Sequence, residues 1–173
     1  MGLLDTVPAL TRPDLLAHPV AAALDGSPLD VQVAEIDPGL ADTAAFCERY
    51  EVAPAESANC VVVVGKRGGV TTYAACVVLA TTRADVNGVV RRHLGARKVS
   101  FAPMDDAVAE TGMEYGGITP IGLPEGWPVL VDKAVVAAGP VVIGSGVRRS
   151  KVIMPGALLA SLPGAVVLAG LAV

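Results

Sequence analysis

The sequence predicts an α+β fold with a mixed, partly barrel-like β-sheet flanked by helices. Segments with strand and helix patterns follow one another without the regular strand–helix–strand alternation of a parallel α/β sheet. Hydrophobic residues make up 53% of the 173 residues and charged residues 17%, which provides enough apolar material for a packed core. Aromatic residues make up only 3%, so valine, alanine and leucine must fill that core. We therefore expect residues 1–173 to form a single domain.

Two runs rich in β-branched residues give the strongest strand signal. Residues 59–64 and 70–80 flank a glycine-bearing turn at 65–69, a pattern that predicts a β-hairpin. Shorter apolar segments predict further strands at 31–36, 98–101, 128–131, 140–143, 151–154 and 165–168.

Helix signals lie between these strands. The predicted helices cover residues 13–24, 43–50, 82–94 and 103–112. Pro19 is expected to kink or split the first helix. Asp42 is a candidate N-cap for the second helix, and Gly95 is a stop signal for the third.

The C-terminal residues 152–173 carry no charge over 22 positions, which by length and hydropathy fits a membrane span. Two Pro-Gly steps, at 155–156 and 163–164, argue against a span, because each would leave backbone groups unpaired in lipid. We expect a strand, a short helix, a turn and a last strand there instead. The N-terminus lacks a basic region followed by a long apolar run, so no secretory signal is predicted. We expect a cytoplasmic protein without membrane contact.

Several kinds of chemistry are excluded by the residues present. There is no glycine-rich phosphate-binding motif of the NTPase or dinucleotide kind and no Gly-x-Ser-x-Gly elbow. The three cysteines, Cys47, Cys60 and Cys76, include no Cys-x-x-Cys pair, which argues against a disulfide framework and a structural zinc site. With only two histidines, His18 and His93, a histidine-rich metal site is also excluded. We expect neither a metal nor a cofactor, and any hydrolytic chemistry must depend on positioning and backbone donors.

Charge is unevenly distributed along the chain. Residues 1–58 hold ten acidic and two basic residues, whereas residues 59–173 hold seven acidic and eleven basic ones. The basic residues cluster around Arg91, Arg92 and Lys98, and again at Arg148 and Arg149. Such clusters could contact nucleic-acid phosphates if the fold brings them to one face, or they could be two solvated turns.

Residues 112–122 form the most distinctive segment, with the pattern G-x-x-x-G-G-I-x-P-x-G. Paired glycines let the backbone turn sharply and approach a ligand closely, so that its N–H groups can act as donors. Such a loop could hold an ester carbonyl and stabilise a developing oxyanion. The alternative is a wide turn that only links a helix to a strand.

This loop, together with residues 94–99, 129–132 and 143–149, resembles the YbaK family in order and spacing over roughly residues 40–165. The tail at 151–159 resembles the family's closing strand and helix. The family includes the prolyl-tRNA synthetase editing domain and free-standing deacylases of Cys-tRNA(Pro) and Ala-tRNA(Pro). The resemblance implies a barrel-like α+β fold and hydrolysis of the ester that joins an incorrect amino acid to the tRNA 3′ end.

The same resemblance implies a set of site residues. Gly117 and Asp132 would be catalytic together with Asn59, which stands where the family carries a lysine. The implied substrate-binding residues are Cys60, Gly116, Ile118, Pro120, Ser145 and Gly146, and the implied tRNA-binding residues are Arg91, Arg92, Lys98, Arg148 and Arg149. Asparagine forms hydrogen bonds but brings no charge, so lower affinity and rate are expected than with lysine. Cys60 could be read as a nucleophile, but a small buried residue on a strand is the simpler interpretation.

These observations predict a trans-acting aminoacyl-tRNA deacylase whose partner is the acceptor end of a mischarged tRNA, with a synthetase as a further candidate partner. The alternative is a non-catalytic relative that binds an aminoacyl-tRNA end, a nucleotide-like ligand or a protein. No feature of the sequence favours a hydrolase of other small esters.

Overall fold

The computed structural model describes residues 1–173 and contains two β-sheets flanked by helices. The strands are β1 Thr6–Pro8, β2 Gln32–Glu35, β3 Ala58–Arg67, β4 Val70–Leu79, β5 Lys98–Phe101, β6 Val129–Asp132, β7 Pro140–Gly144, β8 Ser150–Pro155 and β9 Ala165–Leu168. The α-helices are α1 His18–Leu24, α2 Thr43–Tyr50, α3 Arg91–His93, α4 Met104–Thr111 and α5 Lys133–Ala137. A π-helical segment, Val86–Val90, leads into α3, and a 3-10 segment, Gly156–Ser161, follows β8.

One sheet has four strands in the order β1-β2-β8-β7, and all its neighbours are antiparallel. The other has five strands in the order β5-β3-β4-β6-β9. Here β3 pairs antiparallel with β4 and β5, whereas β6 pairs parallel with both β4 and β9. The second sheet is therefore mixed, as the sequence predicted.

The two sheets meet at one point and then diverge. A single parallel bridge joins Ser57, just before β3, to Val142 on β7. The ladder between β3 and β5 begins only at Val63, so the first half of β3 lacks a strand partner on that side. An open wedge therefore remains between β3 and β7, and the two sheets form a partly closed barrel.

Three apolar clusters hold this arrangement together. The largest has 22 buried residues and takes side chains from both sheets, from α1 and from α5. A second cluster lies between the five-stranded sheet and the helix at 86–93, and includes Val63, Val90 and Leu130. A third lies between the four-stranded sheet and α2, where Phe46 packs with Val142 and Ile153. Both sheets are thus covered on their outer faces by a helix.

Most local predictions agree with these elements, and the exceptions have physical reasons. The split expected in the helix over 13–24 is present, with a 3-10 segment at Pro13–Leu15 followed by α1, which begins at His18 with Pro19 in its first turn. The hairpin turn is only two residues long, since Gly68 and Gly69 have φ angles of 55° and 81° and allow a tight turn. The helix predicted over 82–94 begins after Asp85, whose carboxylate accepts the N–H groups of Gly88 and Val89. Strand β1 and helix α5 are short elements that the sequence patterns did not predict.

The uncharged C-terminal segment folds as predicted, into β8, the 3-10 segment, a turn and β9. None of the helices in the structure is both long enough and apolar enough to cross a membrane.

Candidate functional site

A cleft lies in the wedge between β3 and β7 and has a cavity volume of about 320 Å³. This volume is at the lower end of the range usual for small-molecule sites. Its lining comes from the start of α2, the first half of β3, the end of β5, the glycine loop and the end of β7. The lining residues are 41–43, 57–62, 101–102, Ala107, Tyr115, Gly116, Ile118, 142–144 and Lys151.

The glycine loop is held in the cleft by hydrogen bonds to the segment after β7. The Gly146 N–H donates to the Gly117 carbonyl at 2.7 Å, and the Glu114 N–H donates to the Gly146 carbonyl at 2.8 Å. The Glu114 carboxylate accepts the Arg148 N–H at 2.6 Å, while the Arg148 guanidinium donates to the Tyr115 carbonyl at 3.3 Å. The loop is therefore fixed at several points.

Close backbone contact explains why glycine is present both in the loop, at Gly117, and at the end of β7, at Gly144. A Cβ atom on Gly144 would lie 2.4 Å from the Gly117 carbonyl oxygen and 2.5 Å from that of Ile118. A Cβ atom on Gly117 would lie 2.7 Å from the Val147 backbone. Side chains at these positions would push the loop away from its place at the cleft.

The backbone donors of the loop are not all free. The Gly117 N–H donates to the Glu114 carbonyl at 2.9 Å within the loop, and Gly117 does not line the cleft. Gly116 and Ile118 do line it, and their N–H groups have no acceptor in the protein. The structure therefore offers Gly116 and Ile118, rather than Gly117, as donors to a ligand.

Asn59 lines the cleft with an oriented amide. The Thr43 hydroxyl donates to the Asn59 Oδ1 atom at 2.7 Å, so the amide oxygen is occupied and the Nδ2 donors have no acceptor in the protein. Thr43 is the first residue of α2, whose first N–H groups have no partner within the helix. This end of the cleft thus presents hydrogen-bond donors, and the partial positive charge of a helix N-terminus reinforces them.

Cys60 also lines the cleft but is a poor nucleophile. Burial raises the pKa of the Cys60 thiol well above its usual value, and the neighbouring Cys76 raises it further. Burial also raises the pKa of Cys76, to about 12. Since the thiolate is the reactive form, both thiols are protonated and unreactive at neutral pH.

Lys151 is a residue of the cleft that the sequence analysis did not assign to the site. It lies on β8, its exposed fraction is only 8%, and it lines the cleft from the side of α2. Its Nζ donates to the Ala41 carbonyl at 2.9 Å and lies 5.1 Å from the centre of the Phe46 ring. The one sequence feature that could have indicated this site residue is a lysine between apolar strand residues, because lysine is rarely buried without a partner.

Several residues that the resemblance implied lie outside the cleft. Asp132 caps α5, since its carboxylate accepts the Ala134 N–H at 2.8 Å and the Ala172 N–H at 3.0 Å. The Ser145 hydroxyl is fully buried and bonded to Ser150 at 2.7 Å. Pro120 lines a separate depression of about 940 Å³. Gly146 anchors the glycine loop, whereas Asp132 and Ser145 make structural contacts outside the cleft.

The basic residues fall into two groups. Lys98 pairs in register with Lys66 and lies with Arg67 and Arg97 around a shallow depression at the end of the β3–β4 hairpin. We call these four residues the basic hairpin tip, and none of them forms an ion pair with an acidic residue. From Lys98, β5 leads to Phe101 at the cleft, a distance of about 10 Å at the usual rise of a strand.

The other predicted basic residues are placed differently. Arg91 and Arg92 are exposed on α3. Arg148 is held by the Pro38 and Tyr115 carbonyls, and Arg149 donates to the Asp14 carbonyl. The last two guanidinium groups therefore already have partners in the protein.

Thr119, in the glycine loop, has an unpaired buried hydroxyl group from which we predict an effect on stability. Its side chain is fully buried and its hydroxyl has no hydrogen-bond partner. Replacing Thr119 with valine should raise the free energy of unfolding by about 1 kcal/mol, because an unpaired buried hydroxyl is lost.

Chemical denaturation measures this change, with Thr111→Val as the matched control. The Thr111 hydroxyl donates to the Ala107 carbonyl at 2.7 Å, so its replacement should lower the stability by about 1 kcal/mol. A loss of stability in Thr119→Val as large as in Thr111→Val would contradict the prediction.

Comparison with known proteins identifies the family. Residues 37–162 match the family model of the aminoacyl-tRNA editing domain. This match covers more than half of the chain, and the chain belongs to this family. The resemblance to the YbaK family is thereby confirmed. No curated protein is significantly similar in sequence to the chain.

Solved structures share the fold at low sequence identity. A proposed trans-editing enzyme for prolyl-tRNA synthetase has a TM-score of 0.75 and 21% identity, with 88% of this chain and 94% of that chain covered. The hypothetical protein APE2540 has a TM-score of 0.79 and 20% identity, with 90% and 100% covered. A proposed signal transduction protein from Marinobacter aquaeolei VT8 has a TM-score of 0.53 and 16% identity, and the match covers 96% of this chain but 31% of that one. The predicted α+β, partly barrel-like fold is confirmed.

Proposed function

We propose that the chain is a trans-acting aminoacyl-tRNA deacylase that hydrolyses the ester of mischarged tRNA, of the tRNA(Pro) editing type, in the cytoplasm. The observation that carries this proposal is the cleft between β3 and β7, where residues with free backbone and amide donors line one cavity in a chain of the editing-domain family. Such a hydrolase acts where a synthetase cannot reject a smaller or isosteric amino acid by binding alone.

The chemistry needs little beyond positioning, because an aminoacyl ester is already activated. A water molecule attacks the ester carbonyl carbon, the bond to the ribose oxygen breaks, and that oxygen leaves with a proton as the free hydroxyl of the tRNA. The Gly116 and Ile118 N–H groups would stabilise the negative charge that develops on the carbonyl oxygen. The Asn59 amide and the ribose hydroxyl next to the ester would orient the water.

The basic hairpin tip provides the contact surface for the tRNA. Lys66, Arg67, Arg97 and Lys98 lie without acidic partners beside the strand that ends at the cleft. Phosphates of the acceptor stem would bind there while the 3′ end enters the cleft, and binding would weaken as salt rises. Arg91 and Arg92 on α3 could extend this surface.

The test is time-resolved deacylation of Ala-tRNA(Pro) and Cys-tRNA(Pro), with correctly charged Pro-tRNA(Pro) and a protein-free reaction as controls. Release of the amino acid from a mischarged tRNA, with the correct one spared, supports an editing enzyme. Rates equal to the protein-free control, from protein shown to be folded, would instead favour the alternative of a non-catalytic module. That alternative is supported by Asn59, because asparagine brings no charge to the position where the resemblance implies a lysine.

Cys60→Ala should retain activity within about two-fold, because a protonated, buried thiol takes no part in the proposed chemistry. The initial rate of deacylation measures this effect. Loss of all activity in folded Cys60→Ala protein would contradict this prediction and would indicate a direct role of the Cys60 Sγ atom in substrate binding or in nucleophilic attack.

A further inference from the structure

We propose that Lys151, from strand β8, supplies the positive charge of the cleft and binds an anionic oxygen at the aminoacylated 3′ end of the tRNA. This inference rests on the proposed deacylase function. It means that the charge which the resemblance implies at the position of Asn59 on β3 is here supplied by β8, a strand of the other sheet.

The surroundings of Lys151 leave its charge available to a ligand. The Nζ atom has one hydrogen bond, to the Ala41 carbonyl, and no carboxylate lies within 4.0 Å. An ammonium group has three donors, so two remain without a protein acceptor. A buried cation without an ion pair is costly for the fold, and an anionic ligand would remove much of that cost.

The register of the four-stranded sheet places Lys151 beside the glycine loop of the cleft. Lys151 lies opposite Gly144 on β7, where an added Cβ atom would collide with the Gly117 and Ile118 carbonyl oxygens of the glycine loop. Since Gly144 has no side chain, nothing at that position separates Lys151 from the loop. The Lys151 Nζ atom donates to the carbonyl of Ala41, just before α2, and lies 5.1 Å from the centre of the Phe46 ring, so the ammonium group is held near the N-terminus of that helix.

Two anionic oxygens of the substrate are candidates for the contact with Lys151. One belongs to the 5′-phosphate of the terminal adenosine, and the other is the oxyanion that forms on the ester carbonyl. Both are bound by the same chemistry, a charge-assisted hydrogen bond from a buried ammonium group.

The experiment compares the wild type with Lys151→Met, Asn59→Lys and the double variant Asn59→Lys/Lys151→Met. Methionine keeps the length and apolar character of the side chain and removes the charge. We expect Lys151→Met to lower kcat/KM on mischarged tRNA by roughly 10- to 100-fold, the usual effect of losing a hydrogen bond to a charged group. The double variant should recover at least part of this loss, because Asn59 lines the same cleft. Lys133→Met, at an exposed lysine on α5, is the matched control and should leave kcat/KM unchanged.

A binding measurement separates the role of the charge from a role in folding. The probe is adenosine 5′-monophosphate with alanine attached to the 3′ position through an amide, together with the same compound without the phosphate. Weaker binding of only the phosphorylated probe by folded Lys151→Met protein indicates contact with the phosphate. Equal binding of both probes by the variant and the wild type, with a lower kcat, indicates contact with the oxyanion.

The pH dependence gives an independent readout. Burial lowers the pKa of the Lys151 ammonium below its ordinary value of 10.5; Arg148 acts in the same direction, while Cys47 and Asp42 oppose the shift. For a phosphate contact, binding of the phosphorylated probe should weaken as the pH rises through this lowered pKa, and Lys151→Met should lose that dependence.

A Lys151→Met variant as active as the wild type would overturn the inference and leave the deacylase function intact. Loss in Lys151→Met without any recovery in the folded double variant would also overturn it, because the lysine would then act through its structural contacts. A wild type that neither hydrolyses mischarged tRNA nor binds the probes would overturn both the inference and the proposed function.

Discussion

Replacing Gly144 with alanine is expected to lower deacylase activity at least about 100-fold, the size of effect known for small displacements of catalytic groups. The added Cβ atom would lie 2.4 Å from the Gly117 carbonyl oxygen and 2.5 Å from that of Ile118, distances that backbone atoms cannot tolerate. The glycine loop must therefore move, and the Gly116 and Ile118 donors move with it. Single-turnover deacylation and a thermal melt of the same preparation measure the loss and verify the fold.

Gly126→Ala is the matched control for this variant. Gly126 has a φ angle of 82° and no atom within 4 Å of an added Cβ, so alanine there costs about 1 to 2 kcal/mol of backbone strain and leaves the cleft unchanged. A comparable loss of activity in both variants would indicate that the loss in Gly144→Ala comes from lower stability alone. Full activity in folded Gly144→Ala protein would contradict the assignment of the loop to the site.

Removing two charges from the basic hairpin tip, in the double variant Lys66→Gln/Lys98→Gln, should weaken tRNA binding and flatten its salt dependence. The two lysines are paired in register and have no acidic partners, so each is free to contact a phosphate. Each lost contact lowers the slope of log K against log salt by about 0.7 to 0.9, so the double variant should lose roughly 1.5 of that slope. Filter binding at several salt concentrations measures it.

Arg83→Gln provides the control for a change in net charge. Arg83 is exposed and follows the end of β4 opposite to the hairpin, so its removal should leave the salt slope unchanged. Equal slopes for the wild type and the Lys66→Gln/Lys98→Gln variant would place the tRNA surface elsewhere, with α3 as the next candidate.

The fold was largely predictable because its strongest signals are local. The β-branched runs of β3 and β4, the glycines of their turn and the proline and glycine boundaries of α4 all act within a few residues. Helix α5 has only five residues and depends on the Asp132 cap and on packing of Val135, which a periodic pattern cannot reveal over that length. The resemblance to a family implied the same barrel-like α+β fold, whereas the order of the strands in the two sheets was not predicted.

The site was less predictable because its contacts join residues far apart in the sequence. Asn59, Cys60, Gly116 and Ile118 were predicted as site residues and do line the cleft, whereas Gly117 and Pro120 of the glycine loop do not. Which loop N–H groups are free depends on the bond between Gly117 and Glu114, a detail of the folded loop. Lys151 lies 110 residues from Ala41, its hydrogen-bond partner, and no local pattern connects them.

The most direct test of the central claim is the rate of amino acid release from Ala-tRNA(Pro) by the wild type and by Gly144→Ala, purified in the same way and measured side by side. We expect the wild type to exceed the protein-free rate, and the variant to fall close to it, because only an intact cleft can place the donors on the ester. A contaminating hydrolase would give equal rates in both preparations. Equal rates, whether fast or at the level of the protein-free control, would contradict the account.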